Sequence, residues 1–167
     1  MATQFIQVKG DDQIEALAVL ADTIWHEYWP PIISAEQTDY MIEKFQSKPA
    51  IIDQLENRSY EYYFINDGER NVGIIGLQPD GEKLFLSKLY LLKDARGQGF
   101  ASDAFTFLEG ICRERELEAI WLTVNKHNRQ AIDVYKVKGF ETVRKQTTDI
   151  GEGFFMDDFI MEKRVDA

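Results

Sequence analysis

A chain of 167 residues, 44% hydrophobic and 13% aromatic, has the material for a proper core and suits one domain over residues 1–167. Its formal charge of −10 repels nucleic-acid phosphates and anionic membranes; it either draws in polycations or simply keeps the chain dissolved. With no basic leader, no apolar run near ~20 residues, one cysteine and two histidines, the reading is a cytoplasmic chain with no internal disulfide, no membrane span and no metal site.

In chain order, Gln4 to Val8 reads as a short strand. Asp11 or Asp12 then caps a helix whose stripe runs Ile14, Leu17, Ala21, Ile24, Trp25 and Tyr28, and Trp29-Pro30-Pro31 stops it. Ser34 with Gln37 forms a capping-box pattern that opens a second helix with Tyr40, Met41 and Phe45 on one side, and Pro49 begins a further short helical turn. Tyr60 to Ile65 and Val72 to Leu77 flank Asn66-Asp67-Gly68 and read as a hairpin, with Pro79-Asp80-Gly81 as the next turn.

Lys83 to Leu91 makes a long strand. It runs into Arg96-Gly97-Gln98-Gly99-Phe100-Ala101 and then a helix carrying Ala104, Phe105, Leu108, Ile111 and Cys112 at helical spacing. In that setting Cys112 is a small buried hydrophobe rather than a nucleophile. Ala119 to Val124 is a compact strand, a helix starts near Asn128 and ends at Gly139, and Glu141 to Thr148 and Phe154 to Lys163 are the closing strands. The order is mixed α/β with a strand-helix-strand unit at its centre.

The glycine turn at a helix start is the chemistry-bearing feature. Backbone N–H groups converge there without side-chain interference, and the helix dipole adds positive partial charge, so phosphate is the natural guest. Alone, the pattern also serves mononucleotides, dinucleotides and plain helix entry. A P-loop needs Lys-Ser/Thr after its last glycine, where this chain has Phe100-Ala101. A dinucleotide-binding unit wants the motif near the first strand and an acid ending the next one; here the motif is central and Asn125 ends the next strand.

One strand further on stands Asn128-Arg-Gln-Ala131-Ile-Asp-Val-Tyr135-Lys-Val-Lys-Gly139-Phe140. Together with the turn, this resembles the GNAT acetyltransferases. Arg96, Gly99 and Ala101 match that family's pyrophosphate turn, and Asn128, Ala131, Tyr135, Gly139 and Phe140 match its second segment. Leu86-Ser87-Lys88-Leu89-Tyr90 and the stretch from Gly151 to Lys163 also resemble the spermidine/spermine acetyltransferase branch.

The resemblance implies a GNAT fold: a central mixed twisted sheet of about seven strands flanked by about four helices. It implies acetyl-CoA as cosubstrate, with contacts at Leu89, Tyr90, Leu91, Arg96, Gly97, Gln98, Gly99, Phe100, Ala101, Ser102, Asn128 and Tyr135. The two central parallel strands would part beyond the middle of the Lys83 to Leu91 strand, and the pantetheine arm would enter there and pair with the backbone of Leu89 and Leu91. A homodimer is implied on the same ground. Arg96 either meets phosphate or pairs with Asp94 or Asp103, and Asn128 either caps its helix or touches the cofactor.

Amine attack on the thioester expels a thiolate whose conjugate acid titrates near ~8.5, against ~10 for a phenol, so Tyr135 is the candidate general acid; its bland alternative is a core aromatic. A polyamine is the preferred small-molecule acceptor, with an amino acid, peptide terminus or aminoglycoside as the alternative and a non-catalytic CoA sensor as a reading of another class. The resemblance also implies that the loop after the first helix lies over the acceptor cleft, so Glu27, Tyr28 and Trp29, with Asp157, are the candidate acceptor contacts, since rings and carboxylates hold alkylammonium charge; core packing for Trp29 and a solvated charge for Glu27 are the alternatives. Asp157 and Asp158 point to opposite faces of one strand, so at most one enters a given cleft. Lys88 reads as a structural or rim charge, and no residue stands out as the general base.

Overall fold

The computed structural model describes residues 3–165. Seven strands form one sheet in the order β1-β2-β3-β4-β5-β7-β6. The strands are β1 (Gln4–Gln7), β2 (Glu61–Asn66), β3 (Asn71–Asp80), β4 (Lys83–Leu91), β5 (Ala119–Asn125), β6 (Glu141–Gly151) and β7 (Phe154–Arg164). Pairing is antiparallel for β1/β2, β2/β3, β5/β7 and β6/β7, and parallel for β4/β5, the pair joined by a helical crossover as parallel strands require. Five α-helices accompany the sheet among the described residues, one more than the resemblance implied: α1 (Asp11–Tyr28), α2 (Ala35–Met41), α3 (Lys48–Asn57), α4 (Phe100–Glu114) and α5 (Arg129–Val137). The fold is mixed α/β, as the resemblance implies.

The chain clusters into two compact units, one running up to Gln78 and including Ser87–Leu108, the other holding Pro79–Leu86 and the chain from Glu109 onward. In the first unit α1 buries the stripe expected of it, with Ile14, Leu17, Ala21, Ile24 and Trp25 shielded from solvent. Each isoleucine or leucine of the stripe contributes about 1.5–3 kcal/mol when fully buried. The start of α1 differs from expectation. Gly10, at φ 81°, is the cap residue, and Asp11 and Asp12 lie in the first turn, where their charge favours the helix dipole without a capping hydrogen bond.

Ser34 caps α2 as its pattern predicts, its Oγ accepting the Gln37 N–H at 3.0 Å. The helix then widens into a π-turn over Ile42–Gln46. That turn rotates the buried face, so Thr38, Met41, Ile42 and Gln46 are buried where Tyr40, Met41 and Phe45 were expected together. Helix α3 is a full ten-residue element capped by Ser47, with Pro49 inside its first turn, rather than a short one.

A buried polar knot fastens β4 within this unit. Lys88 is 6% exposed and therefore not a rim charge. Its Nζ donates to the Tyr62 hydroxyl, to Gln54 Oε1 at 3.3 Å and to the Phe45 carbonyl at 3.4 Å, and it lies 5.0 Å from the Tyr62 ring centroid. Gly76 on β3 makes room for it, since a Cβ there would meet the Tyr62 ring at 2.9 Å and the Lys88 side chain at 3.3 Å. Burial pulls the Lys88 ammonium down to about 7 and pushes the Tyr62 phenol well above its usual range.

The second unit packs Ile120, Leu122, Ile160 and Met161 into its interior. Phe85 stacks on Trp121 at 4.1 Å, and the ion pairs Lys83–Glu162 (2.8 Å) and Lys163–Glu109 (2.6 Å) stand at its margins. The β4/β5 ladder pairs Lys83–Leu86 with Ala119–Leu122, and the β5/β7 ladder runs to Asn125↔Asp158.

The depressed pKa of Lys88 sets a sign. Between about pH 7 and the ~10.4 of a free lysine, the unfolded chain holds the proton that the folded chain has released, so stability rises with pH across that window. We expect wild type to gain on Lys88→Met between pH 7 and 9 in urea unfolding, by at most about 1.4 kcal/mol per pH unit. Parallel stability curves for the two proteins would show that Lys88 carries no such penalty.

Candidate active site

The first unit assembles most of the residues expected at the cofactor and the acceptor. After β4 the chain makes a 3₁₀ turn at Lys93–Ala95 and enters the glycine segment. Gly97 and Gly99 have φ of 76° and 88°, the left-handed region that suits glycine, and a Cβ at either would project into open space. Helix α4 starts at Phe100, and the Asp103 N–H closes its first turn on the Gly99 carbonyl at 3.1 Å. By helix geometry the N–H groups of Phe100 and Ala101 precede the intrahelical ladder and point out of the N-terminus. A positively polarised turn with unobstructed backbone fits a pyrophosphate.

The surroundings of Arg96 narrow its reading. Asp94 pairs with Arg70 at 2.9 Å, and Asp103 accepts the Thr3 hydroxyl at 2.5 Å, so both carboxylates considered as its partners bond elsewhere. The Arg96 guanidinium is exposed and lies 5.4 Å from the Tyr28 ring centroid. Gln98 holds the turn by donating to the Asp94 carbonyl at 2.9 Å. Ser102 is exposed in the first turn of α4.

Helix α1 ends against the same stretch. Tyr28 and Trp29 meet Tyr90 at centroid distances of 5.0 and 6.2 Å, and Trp25 joins them at 5.5 Å. Trp25 and Trp29 are buried, and their indole nitrogens lack a hydrogen-bond partner. Glu27 accepts the Lys93 N–H at 3.2 Å, tying the end of α1 to the 3₁₀ turn. Glu27, Tyr28, Trp29, Tyr90 and Arg96 are thus neighbours. Leu89 and Leu91 are half-buried on either side of Tyr90.

The second unit holds the remainder. Asn128 is buried and caps α5, its Oδ1 accepting the Ala131 N–H at 3.3 Å. Tyr135, two turns along α5, lies 5.8 Å from the ring of Phe140. The link from β5 into α5 is pinned at both ends: the Asn125 side chain accepts the His127 N–H at 2.9 Å, and the Lys126 N–H donates to the Asp157 carbonyl at 3.0 Å. Glu27 and Asp157 belong to different units.

The two adjacent aspartates have opposite environments, as strand alternation requires. Asp157 accepts the Thr147 hydroxyl at 2.6 Å and pairs with Lys126 at 3.3 Å, and these bonds hold its carboxyl below the usual range. Asp158 is half-buried, and its Oδ1 is shielded from solvent with no hydrogen-bond partner. Burial, with the Asp157 charge beside it, pushes the Asp158 carboxyl up to about 6. Sequence reasoning chose Asp157 as the functional member. The adjacency of the two acids was the available signal; which of them lacked partners depended on β6 and β5.

The sequence profile of the acetyltransferase (GNAT) family matches residues 21–140. The chain belongs to that family. It is 22% identical over 168 residues to an uncharacterized N-acetyltransferase of Lactobacillus delbrueckii subsp. lactis, with 96% of each chain covered. Its fold is similar to that of the PaiA N-acetyltransferase of Thermoplasma acidophilum, solved in complex with coenzyme A: TM-score 0.79, 21% identity, 98% of this chain and 99% of that one. The ribosomal-protein-S18-alanine N-acetyltransferase of Escherichia coli shares it too, at TM-score 0.72 and 14% identity over 99% and 96% of the chains. This GNAT protein is an N-acetyltransferase.

The left-handed backbone at Gly99 predicts a measurable strain. Gly99→Ala introduces no clash but forces an L-residue to φ near 88°. Its urea unfolding midpoint should fall, with a loss of about 1 kcal/mol. Unchanged or higher stability would mean that the turn relaxes without the glycine.

Proposed function

We propose that this GNAT acetyltransferase transfers acetyl to the primary amine of a small cationic acceptor, a polyamine such as spermidine, by direct attack, and that the two units act as one catalytic domain. The observation that carries the cofactor part is the left-handed Gly97/Gly99 turn at the open start of α4, next to an exposed Arg96. The family profile runs through both units, which supports reading them together.

In this reading the backbone from Gly97 to Ser102, with Arg96, holds the diphosphate of acetyl-CoA, and the backbone of Leu89 to Leu91 faces its pantetheine arm. Acetyl-CoA supplies an activated acyl group on a thiol leaving group. Asn128 orders the start of α5 and Tyr135 protonates the departing thiolate, a transfer that the ~1.5-unit gap between phenol and thiol makes accessible. On the acceptor side, the exposed carboxylate of Glu27 and the ring of Tyr28 offer charge and a π-face to alkylammonium groups; Asp157, already bonded to Thr147 and Lys126, is left to the frame, and Trp29, being buried, supports Tyr28 rather than reaching solvent. A net charge of −10 favours the approach of a polycation. The buried Cys112 thiol is pushed up to about 11 by burial, which suits a packed side chain and not an acyl carrier.

The test is thiol release from acetyl-CoA over spermidine, spermine, amino acids, short peptides and an aminoglycoside. Selective release with the polyamines is expected; selectivity elsewhere would keep the transfer and discard the polyamine. Tyr135→Phe should lower kcat by about 10²-fold, within the range for general acid catalysis, while the acetyl-CoA dissociation constant stays within twofold. A Tyr135→Phe protein with wild-type kcat would remove this residue from the chemistry.

A further inference from the structure

The acceptor presents a second chemical demand. An alkylammonium near ~10 must shed a proton before its nitrogen can attack, at a cost of about 1.4 kcal/mol per pH unit. The second unit contains one carboxylate whose environment suits this work. Asp158 sits on β7 opposite Asn125, the last residue of β5, and opposite Gln146 of β6. Residues paired in this way share a face, so Asp158 stands at the β5 end from which the chain turns into α5, the helix that carries Tyr135.

One oxygen of this carboxylate, Oδ1, is removed from solvent and unbonded, a costly state in a part of the chain where neighbouring acceptors are satisfied. The charged groups near it are few. Asp157, Lys126 and Lys145 line the same cavity of about 150 Å³ with Gln146 and Thr147, the Lys145 ammonium lies 5.8 Å from the Phe159 ring centroid, and His127 acts on Asp157. Lys126 is already paired with Asp157, so Asp158 has no cation of its own from that lysine. Hydrogen bonds from Thr147 and Lys126 hold Asp157 low while burial, with the Asp157 charge beside it, raises Asp158, the arrangement by which proteins assign separate roles to neighbouring acids.

Resting on the amine-acetylation reading, we propose that Asp158 is the general base that takes the proton from the acceptor ammonium. The N–H bond breaks and the proton passes to a carboxylate oxygen of Asp158. The nitrogen lone pair then forms the C–N bond with the acetyl carbonyl carbon as the C–S bond breaks. Tyr135 protonates the leaving thiolate and is reprotonated by the second proton shed from nitrogen, through water. Asp158 returns its proton to solvent, so each turnover releases one proton overall.

The experiment compares wild type and Asp158→Asn in two readouts. Asparagine keeps the shape and removes a charge that burial disfavours, so the variant should fold with equal or higher stability. With the amine that wild type acetylates fastest, kcat should fall about 10²-fold while acetyl-CoA affinity is unchanged, and the decline of kcat/KM below pH 6 should vanish. In ¹³C spectra of wild type without acetyl-CoA, the Asp158 carboxyl should titrate near pH 6 and shift to lower pH when spermidine is added. Wild-type kcat with the acid limb intact in Asp158→Asn overturns the proposal, as does a raised KM alone, or a carboxyl that spermidine does not move. Wild type that releases thiol with no amine overturns the transfer reading itself, a result distinct from any of these.

Discussion

Several backbone amides can meet one phosphate only where no Cβ stands between them and no side chain claims their hydrogen bonds, and everything assigned to the cofactor rests on that constraint. The segment from Arg96 to Ala101 satisfies it with two left-handed glycines ahead of the open start of a fifteen-residue helix. The turn is held from outside itself. Gln98 bonds back to Asp94, Asp94 is engaged by Arg70, and Glu27 clamps the preceding backbone at Lys93. These bonds order the turn before any ligand arrives, which lowers the entropic cost of binding.

The same economy of partners distinguishes the acids. Asp157 has two bonds to its carboxylate and a third to its carbonyl, and so belongs to the frame that joins β7, β6 and the β5–α5 link. Asp158, one residue on, faces the other way and has an oxygen left over. In the first unit Lys88 illustrates the opposite solution: a buried ionisable group surrounded by a hydroxyl, an amide oxygen and a carbonyl. A buried ionisable group with that many donors and acceptors is structural; one with an unfilled position is available for chemistry.

Much of the architecture was legible in the sequence because local rules governed it. Ser34 and Asn128 cap their helices, the α4 periodicity marks its buried side, and the glycine turn sits where its neighbours predicted. What escaped depended on tertiary partners. The π-turn at Ile42–Gln46 has no composition signature, and it moved the buried face away from Tyr40 and Phe45. Lys88 read as either a structural or a rim charge, and the first holds, but nothing near it in sequence announces Gln54, Tyr62 and the Phe45 carbonyl. Asp158 was separable from Asp157 only once Thr147 and Lys126 had been placed beside one of them.

The most direct test of the account is an amide ¹H–¹⁵N spectrum of the protein titrated with coenzyme A. The amides of Gly97 to Ser102 should show the largest shifts, and an adenosine diphosphate lacking the pantetheine arm should reproduce them while leaving Leu89 to Leu91 unmoved. If those turn amides stay in place while coenzyme A binds and perturbs another segment, the diphosphate has been assigned to the wrong backbone and the reading built on it fails.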